Sequence, residues 1–382
     1  MKFCKKCGLK YDDRFGYCKK CGSQLTDDLT TTSESDSSYK VNSALRSHKW
    51  CIGIVGFLVV LCGVFFMLYQ KEDFRFKLYS LGFLKPTDAK EAYRYSLRVF
   101  EENGAEKSLE FFKLSAELGY LDAQVRLAKM YKNGDLVNQS DTEAFKWYMK
   151  AAEQGDANSQ FNVGVAYYKG DGVQQDFFEA FKWSKKAAEQ GDTDAQCYVG
   201  LMYSEGEGIK QNNAEAFKWY LKAAEKGDSI GQSLVGGCYL TGKGVIQDYS
   251  KAYNWLSKAA EQGDAGAQFD LAQMYSDGEG VERDNRKAFE LYKKSAEQGY
   301  SPAAANLGFC YLTGTGVSQS YTEAFKWVKK AAEQGNAFAQ YNLAYMYRDG
   351  DGVARDYNLG LHWLKKAANQ DFELAKKDLA TF

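Results

Sequence analysis

Four cysteines within the first 21 residues carry the most specific chemistry in this 382-residue chain. In FCKKCGLKYDDRFGYCKKCG (residues 3–22), Cys4 and Cys7 form one CxxC pair, Cys18 and Cys21 form a second, and ten residues intervene. Two residues between thiolates let one tight turn aim both sulfurs at a common point. Four such sulfurs suit a closed tetrahedral Zn2+ site, which keeps no open position for catalysis. About twenty residues cannot bury a self-sufficient core, so the metal must supply most of the folding energy. The expected cofactor is one Zn2+ held by Cys4, Cys7, Cys18 and Cys21 in a domain of residues 1–25, with a redox dithiol as the alternative.

The same segment is basic. Lys2, Lys5, Lys6, Lys10, Arg14, Lys19 and Lys20 face Asp12, Asp13 and the double negative charge of a four-thiolate zinc centre. Phe3, Tyr11, Phe15 and Tyr17 could stack on bases, so a nucleic-acid contact is one alternative. The simpler account is that lysines offset thiolate charge and aromatics cover a tiny core, and nucleic acid is not the expected partner. The chain as a whole, with 49 basic and 50 acidic residues, creates no global field for a polyanion or an acidic substrate. The segment resembles the short zinc-ribbon domain found at the N-terminus of many bacterial membrane proteins, although Lys5 and Lys19 stand where such knuckles often carry Pro. The other five cysteines are irregularly spaced, which reads as reduced thiols and not as a disulfide framework.

Residues 26–49 are too polar to pack and read as a flexible linker. Residues 50–69, WCIGIVGFLVVLCGVFFMLY, carry no charge. As a helix they would span roughly 30 Å, the thickness of a bilayer core, with Trp50 and Tyr69 placed for an interfacial aromatic belt. A single transmembrane helix is expected, in a bacterial cell membrane if the ribbon resemblance holds. Lysine and arginine counts on its two sides are nearly balanced, with a slight excess beyond the span. Thiolate chemistry favours the ribbon in the reducing cytosol and the remainder of the chain on the other side. Residues 70–104 are expected to hold a juxtamembrane segment and a capping helix.

A 36-residue period fills the rest. Trp147, Trp183, Trp219, Trp255, Trp327 and Trp363 keep this step, with Leu291 in the one missing slot. Two glycine series, from Gly119 to Gly335 and from Gly134 to Gly350, mark alternate turns. Between them lie two helical stretches per period. Residues 141–154 gather Ala144, Phe145, Trp147, Tyr148, Ala151 and Ala152 on one side, and residues 157–169 point Val163, Gly164 and Tyr167 inward. One hairpin cannot bury its own face, so neighbours must stack, giving an all-α solenoid. The repeated GxGV segments are turns and not ion loops: a calcium loop begun at Asp349 would require Glu where Gly360 stands.

The text AFKWYMKAAEQGDANSQFNVGVAYYKGDGVQQD and its copies resemble the Sel-1-like repeat, a relative of the tetratricopeptide repeat. The likeness covers residues 105–382 as seven full repeats and a truncated eighth. It implies a scaffold that holds other proteins, often at a membrane, and not an enzyme. Some cysteine-rich members were assigned β-lactamase activity with a disulfide in each repeat, a pattern absent here. The rival reading is a regulator or enzyme acting on cell-envelope substrate. Within the second helical stretch the columns at 161, 165 and 168 vary freely and are apolar in places. Phe161, Val165 and Tyr168, then Phe309 and Leu312, then Tyr341 and Tyr345 form the expected partner-binding strip. The sequence fixes no oligomeric state.

Overall fold

The computed structural model describes residues 2–3, 10–11, 64, 67–103, 105–380 and 382. The four cysteines expected to hold zinc, the linker, and nearly all of the expected span lie outside the described residues. No helix among the described residues is long and apolar enough to cross a membrane. The chain divides into two compact units, residues 1–78 and 79–382. In the first, strands β1 (Lys2–Phe3) and β2 (Lys10–Tyr11) pair antiparallel, with Lys2 opposite Tyr11 and Phe3 opposite Lys10.

Helices α1 (Glu72–Ser80), α2 (Ala89–Asn103) and α3 (Ala105–Glu117) precede a regular series. It runs α4 (Leu121–Asn133) and α5 (Asp141–Glu153), α6 (Ala157–Lys169) and α7 (Phe177–Glu189), α8 (Thr193–Glu205) and α9 (Asn213–Glu225). Next come α10 (Ser229–Thr241) and α11 (Tyr249–Glu261), α12 (Ala265–Asp277) and α13 (Asn285–Glu297). Last are α14 (Ser301–Thr313) and α15 (Tyr321–Glu333), α16 (Ala337–Asp349) and α17 (Tyr357–Ala368), and the short α18 (Glu373–Asp378). Even-numbered members from α4 to α16 are termed A helices, and odd-numbered members from α5 to α17 B helices.

Each A helix crosses the B helix that follows it at close range because a small residue stands at the crossing. A Cβ added at Gly236 would lie 2.6 Å from Leu256, and one at Gly200 would lie 2.4 Å from the Tyr220 ring. The recurrent A-helix tyrosine meets a B-helix ring edge to face in repeat after repeat, Phe145–Tyr167 and Phe289–Tyr311 both at 5.3 Å between centroids. Tryptophans wedge neighbouring B helices apart: Trp255 of α11 packs with Ala216 and Tyr220 of α9. Successive A helices, small at their contacts, approach one another more closely than successive B helices do, as α8 with α10 and α10 with α12. Large residues on one side and small ones on the other bend the stack, so the A helices line its inner side.

The turns after the A helices need left-handed backbone. Gly208 has φ +72°, and its missing Cβ would sit 1.9 Å from the Phe177 carbonyl oxygen. The equivalent slot two repeats earlier holds Leu136, which adopts φ 67° despite its side chain.

A ladder of buried glutamines ties repeat to repeat. Gln124 Nε2 donates to the Ala116 carbonyl at 3.0 Å, and its Oε1 accepts from Gln154 Nε2 at 2.6 Å. The rung recurs at Gln160 with Gln190, Gln232 with Gln262, Gln268 with Gln298 and Gln340 with Gln370. It fails where Ala304 replaces the first glutamine, and again where Lys226 replaces the second. Lys226 Nζ reaches the Gly191 carbonyl at 2.7 Å, but Gln196 Oε1 is left buried without a partner. Lys226→Gln should complete the rung and raise stability by about 1 kcal/mol in urea unfolding. An unchanged midpoint would mean that Gln196 is already satisfied.

Candidate interaction surface

Along each A helix, positions 3, 4, 7, 8 and 10 turn inward, and Ala123, Gln124, Leu127, Ala128 and Met130 of α4 show the pattern. Positions 2 and 9 are left facing outward on the inner side of the stack. Three apolar residues there are strongly exposed: Leu201 at 40%, Ile230 at 50% and Phe309 at 40%. Leu201 and Phe309 hold the same repeat position, the column that also contains Val165 and Tyr345.

The expected strip is thus divided by the fold. Phe309 is open, with one flank on Phe338 at 5.7 Å. Val165 and Leu312 are half-buried, Leu312 packed beside the cluster around Leu307 and Val328. Phe161 and Tyr168 are both taken up by Tyr198 of the next A helix, at 5.6 and 5.4 Å. Tyr341 and Tyr345 are half-buried under the chain's own C-terminal segment. Tyr341 packs at a tilt on Phe372 and Tyr345 meets Phe382 edge to face, both at 5.4 Å between centroids, and both hydroxyls donate to Asp378 Oδ2. Those two bonds hold the Asp378 carboxyl below its ordinary range, while burial first and Asp378 second push the Tyr345 phenol up. These four residues serve packing, and the C-terminal segment caps the last A helix.

Two members of the surface escaped the sequence reading. Leu201 could have been found, because it shares its column with Val165 and Phe309. Ile230 left no such signal, since its column holds Asp122, Asn158 and Asp194 in earlier repeats. Polar neighbours frame the face. Lys132 Nζ bridges Asp141 at 2.9 Å and Asp171 at 3.0 Å, and the bond to Asp141 is the chief reason its pKa is raised.

Nucleophile chemistry finds little here. The thiols of Cys197, Cys238 and Cys310 are buried and form no disulfide, and Cys197 Sγ lies 3.6 Å from Asp228 Oδ1. Burial pushes all three up, Cys310 to about 11, so at neutral pH they are neutral packing groups. His362 is exposed beside Trp363, at 5.8 Å between rings.

Stacked antiparallel helical pairs with a bent, ladder-tied core and an open inner face define an α-solenoid scaffold suited to protein–protein contact. The chain belongs to the Sel1 repeat family, whose model matches eight successive stretches: residues 76–120, 121–156, 157–192, 193–228, 229–264, 265–300, 301–336 and 337–372. These divide the helices so that the A helix leads each unit, and the first stretch takes in α2. The protective antigen c5321 of uropathogenic Escherichia coli, which displays an SLR fold, is 35% identical with a TM-score of 0.65, over 80% of this chain and 66% of that one. A Sel1 repeat protein from Oxalobacter formigenes is 34% identical with a TM-score of 0.61, over 76% of this chain and 86% of that one. A negative regulator of exopolysaccharide production from Rhizobium leguminosarum bv. viciae is 31% identical over 67 residues. That stretch is 18% of this chain, which spans only 25% of the regulator's length.

Proposed function

We propose that this chain is a membrane-anchored adaptor whose A-helix face, centred on Leu201, Ile230 and Phe309, docks partner proteins. The carrying observation is that these apolar side chains stand exposed on the inner side of a solenoid whose packing does not require them. Residues 50–69 supply the anchor, the ribbon at Cys4, Cys7, Cys18 and Cys21 lies in the cytosol, and the solenoid lies across the membrane. The uncharged run of residues 50–69 supports the anchor. The spacing of the four cysteines, with β1 and β2 pairing on either side of Cys4 and Cys7 in the chain, supports a zinc knuckle. Deleting residues 50–69 should move the chain from the membrane to the soluble fraction with its helical circular dichroism retained. Continued sedimentation of the folded deletion variant with membranes would overturn the anchor.

A second reading, regulation of cell-envelope polysaccharide production, draws on the 67-residue likeness to the Rhizobium regulator. It is compatible with the adaptor reading, since a scaffold can regulate by holding an envelope enzyme.

A further inference from the structure

The tryptophan column, which Phe111 begins, is interrupted between Trp147 and Trp363 at Leu291 alone, and there the solenoid surface opens. A groove of about 720 Å³ lies between α11 and α13 over α12, lined by Ser257, Ala260, Leu271, Tyr275, Leu291 and Lys294 among others. One repeat earlier the matching space is closed by Trp255, which packs, as Leu221 does, against the cluster of Ala216, Tyr220 and Val235. In that repeat Lys258 Nζ lies 4.5 Å from the Trp255 ring centroid. The same lysine, three residues after the tryptophan, covers every other indole of the column. Lys150, Lys186 and Lys222 do so at 4.1, 3.8 and 3.8 Å, and Lys330 and Lys366 at 5.0 and 4.5 Å. Lys294 holds this position in the open repeat, above Leu291 where its sisters have a ring.

A second substitution widens the groove and gives it polarity. Ser257 stands where Leu221 packs one repeat earlier, and its Oγ is buried with no hydrogen-bond partner. An unpaired buried hydroxyl costs stability until something bonds it. The rim offers no net charge, since Glu261, Asp284 and Glu290 balance Arg286, Lys287 and Lys294. Recognition therefore rests on ring shape and on one hydrogen bond.

We propose that this groove receives a tryptophan side chain presented by a partner polypeptide. The indole takes the volume that the chain's own tryptophans fill in six sister repeats, and Lys294 covers its face as the sister lysines do. The indole N–H donates to Ser257 Oγ, which a phenylalanine ring could not satisfy. The inference rests on the adaptor reading and names one residue the partner offers, at a site on the B-helix side, apart from Leu201 and Phe309.

The test uses the purified full chain and a fluorinated N-acetyltryptophanamide followed by fluorine NMR, so that the chain's own tryptophans do not contribute. Saturable line broadening is expected with the unaltered chain, and roughly fivefold weaker binding with Ser257→Ala. Leu291→Trp, which closes the column, should melt at higher temperature and abolish binding. Should that variant fail to fold, Ser257→Ala and Lys294→Ala carry the test. The corresponding phenylalanine amide should bind at least several-fold more weakly, and a glycyl-tryptophyl-glycine amide more tightly than free indole. No saturable binding, or undiminished binding to folded Leu291→Trp, overturns the proposal. Tighter binding of free indole than of the peptide assigns the groove to a small aromatic molecule and overturns it equally. Undiminished partner capture by folded Leu201→Ser/Phe309→Ser, with tryptophan binding as expected, would instead strike the A-face docking reading alone.

Discussion

Trp219→Ala should destabilise the solenoid by about 3–5 kcal/mol, read from the midpoint of urea unfolding. Trp219 is 7% exposed and packs into the cluster of Phe181, Ala188, Val199 and Met202, so it joins α9 to the preceding B helix and to α8. Truncation to alanine removes the wedge that separates successive B helices and leaves a void bounded by two repeats. It also strips the ring from beneath Lys222, whose Nζ is 3.8 Å from the centroid. Because each repeat is held chiefly by its neighbours, the loss should appear as broadened or biphasic unfolding and not as a uniform shift. The natural leucine at 291 shows that the fold survives one missing tryptophan, so the variant should still fold. A loss below about 1 kcal/mol would mean the column is not the inter-repeat core.

Removal of zinc should have the larger effect on the proposed ribbon. A segment of about 25 residues lacks the area for a core of its own, so metal binding and folding are one equilibrium there. Purified residues 1–25 should carry one zinc, lose their chemical-shift dispersion in chelator, and regain it when zinc returns. Substituting Cys18 alone should do the same irreversibly, because three thiolates leave the site open. A segment that stays ordered in chelator, or that purifies without metal, would remove zinc from the account.

What the sequence disclosed about the fold was whatever packing repeats. The tryptophan and tyrosine columns were legible because each repeat buries the same positions, and the structure builds the all-helical solenoid from them. The glutamine ladder kept the same 36-residue step, yet it passed unseen, since a buried amide declares itself only when Gln124 and Gln154 are known to meet. The interaction surface was partly legible. Phe309 is exposed, but Phe161 and Tyr168 are engaged with Tyr198, and Tyr341 and Tyr345 with the C-terminal segment. Column variability cannot separate a residue freed from packing from one that packs against an equally variable neighbour. Tyr198 is such a neighbour, standing where Asn162 and Leu234 stand in adjacent repeats. Phe382 lies beyond the repeats, whereas the Tyr341–Phe372 contact copies Phe269–Tyr300 two repeats earlier, a pairing visible only once the helices are placed.

The most direct test of docking on the A-helix face compares the detergent-solubilised chain with its Leu201→Ser/Phe309→Ser variant. Both substitutions fall on exposed positions, so each should cost less than about 1 kcal/mol, and the melting curve should hardly move. Partners that co-purify with the unaltered chain, identified by mass spectrometry, should be absent from the variant. Undiminished capture by the folded variant would contradict the account, and so would a large loss of stability, which would make these side chains part of the core.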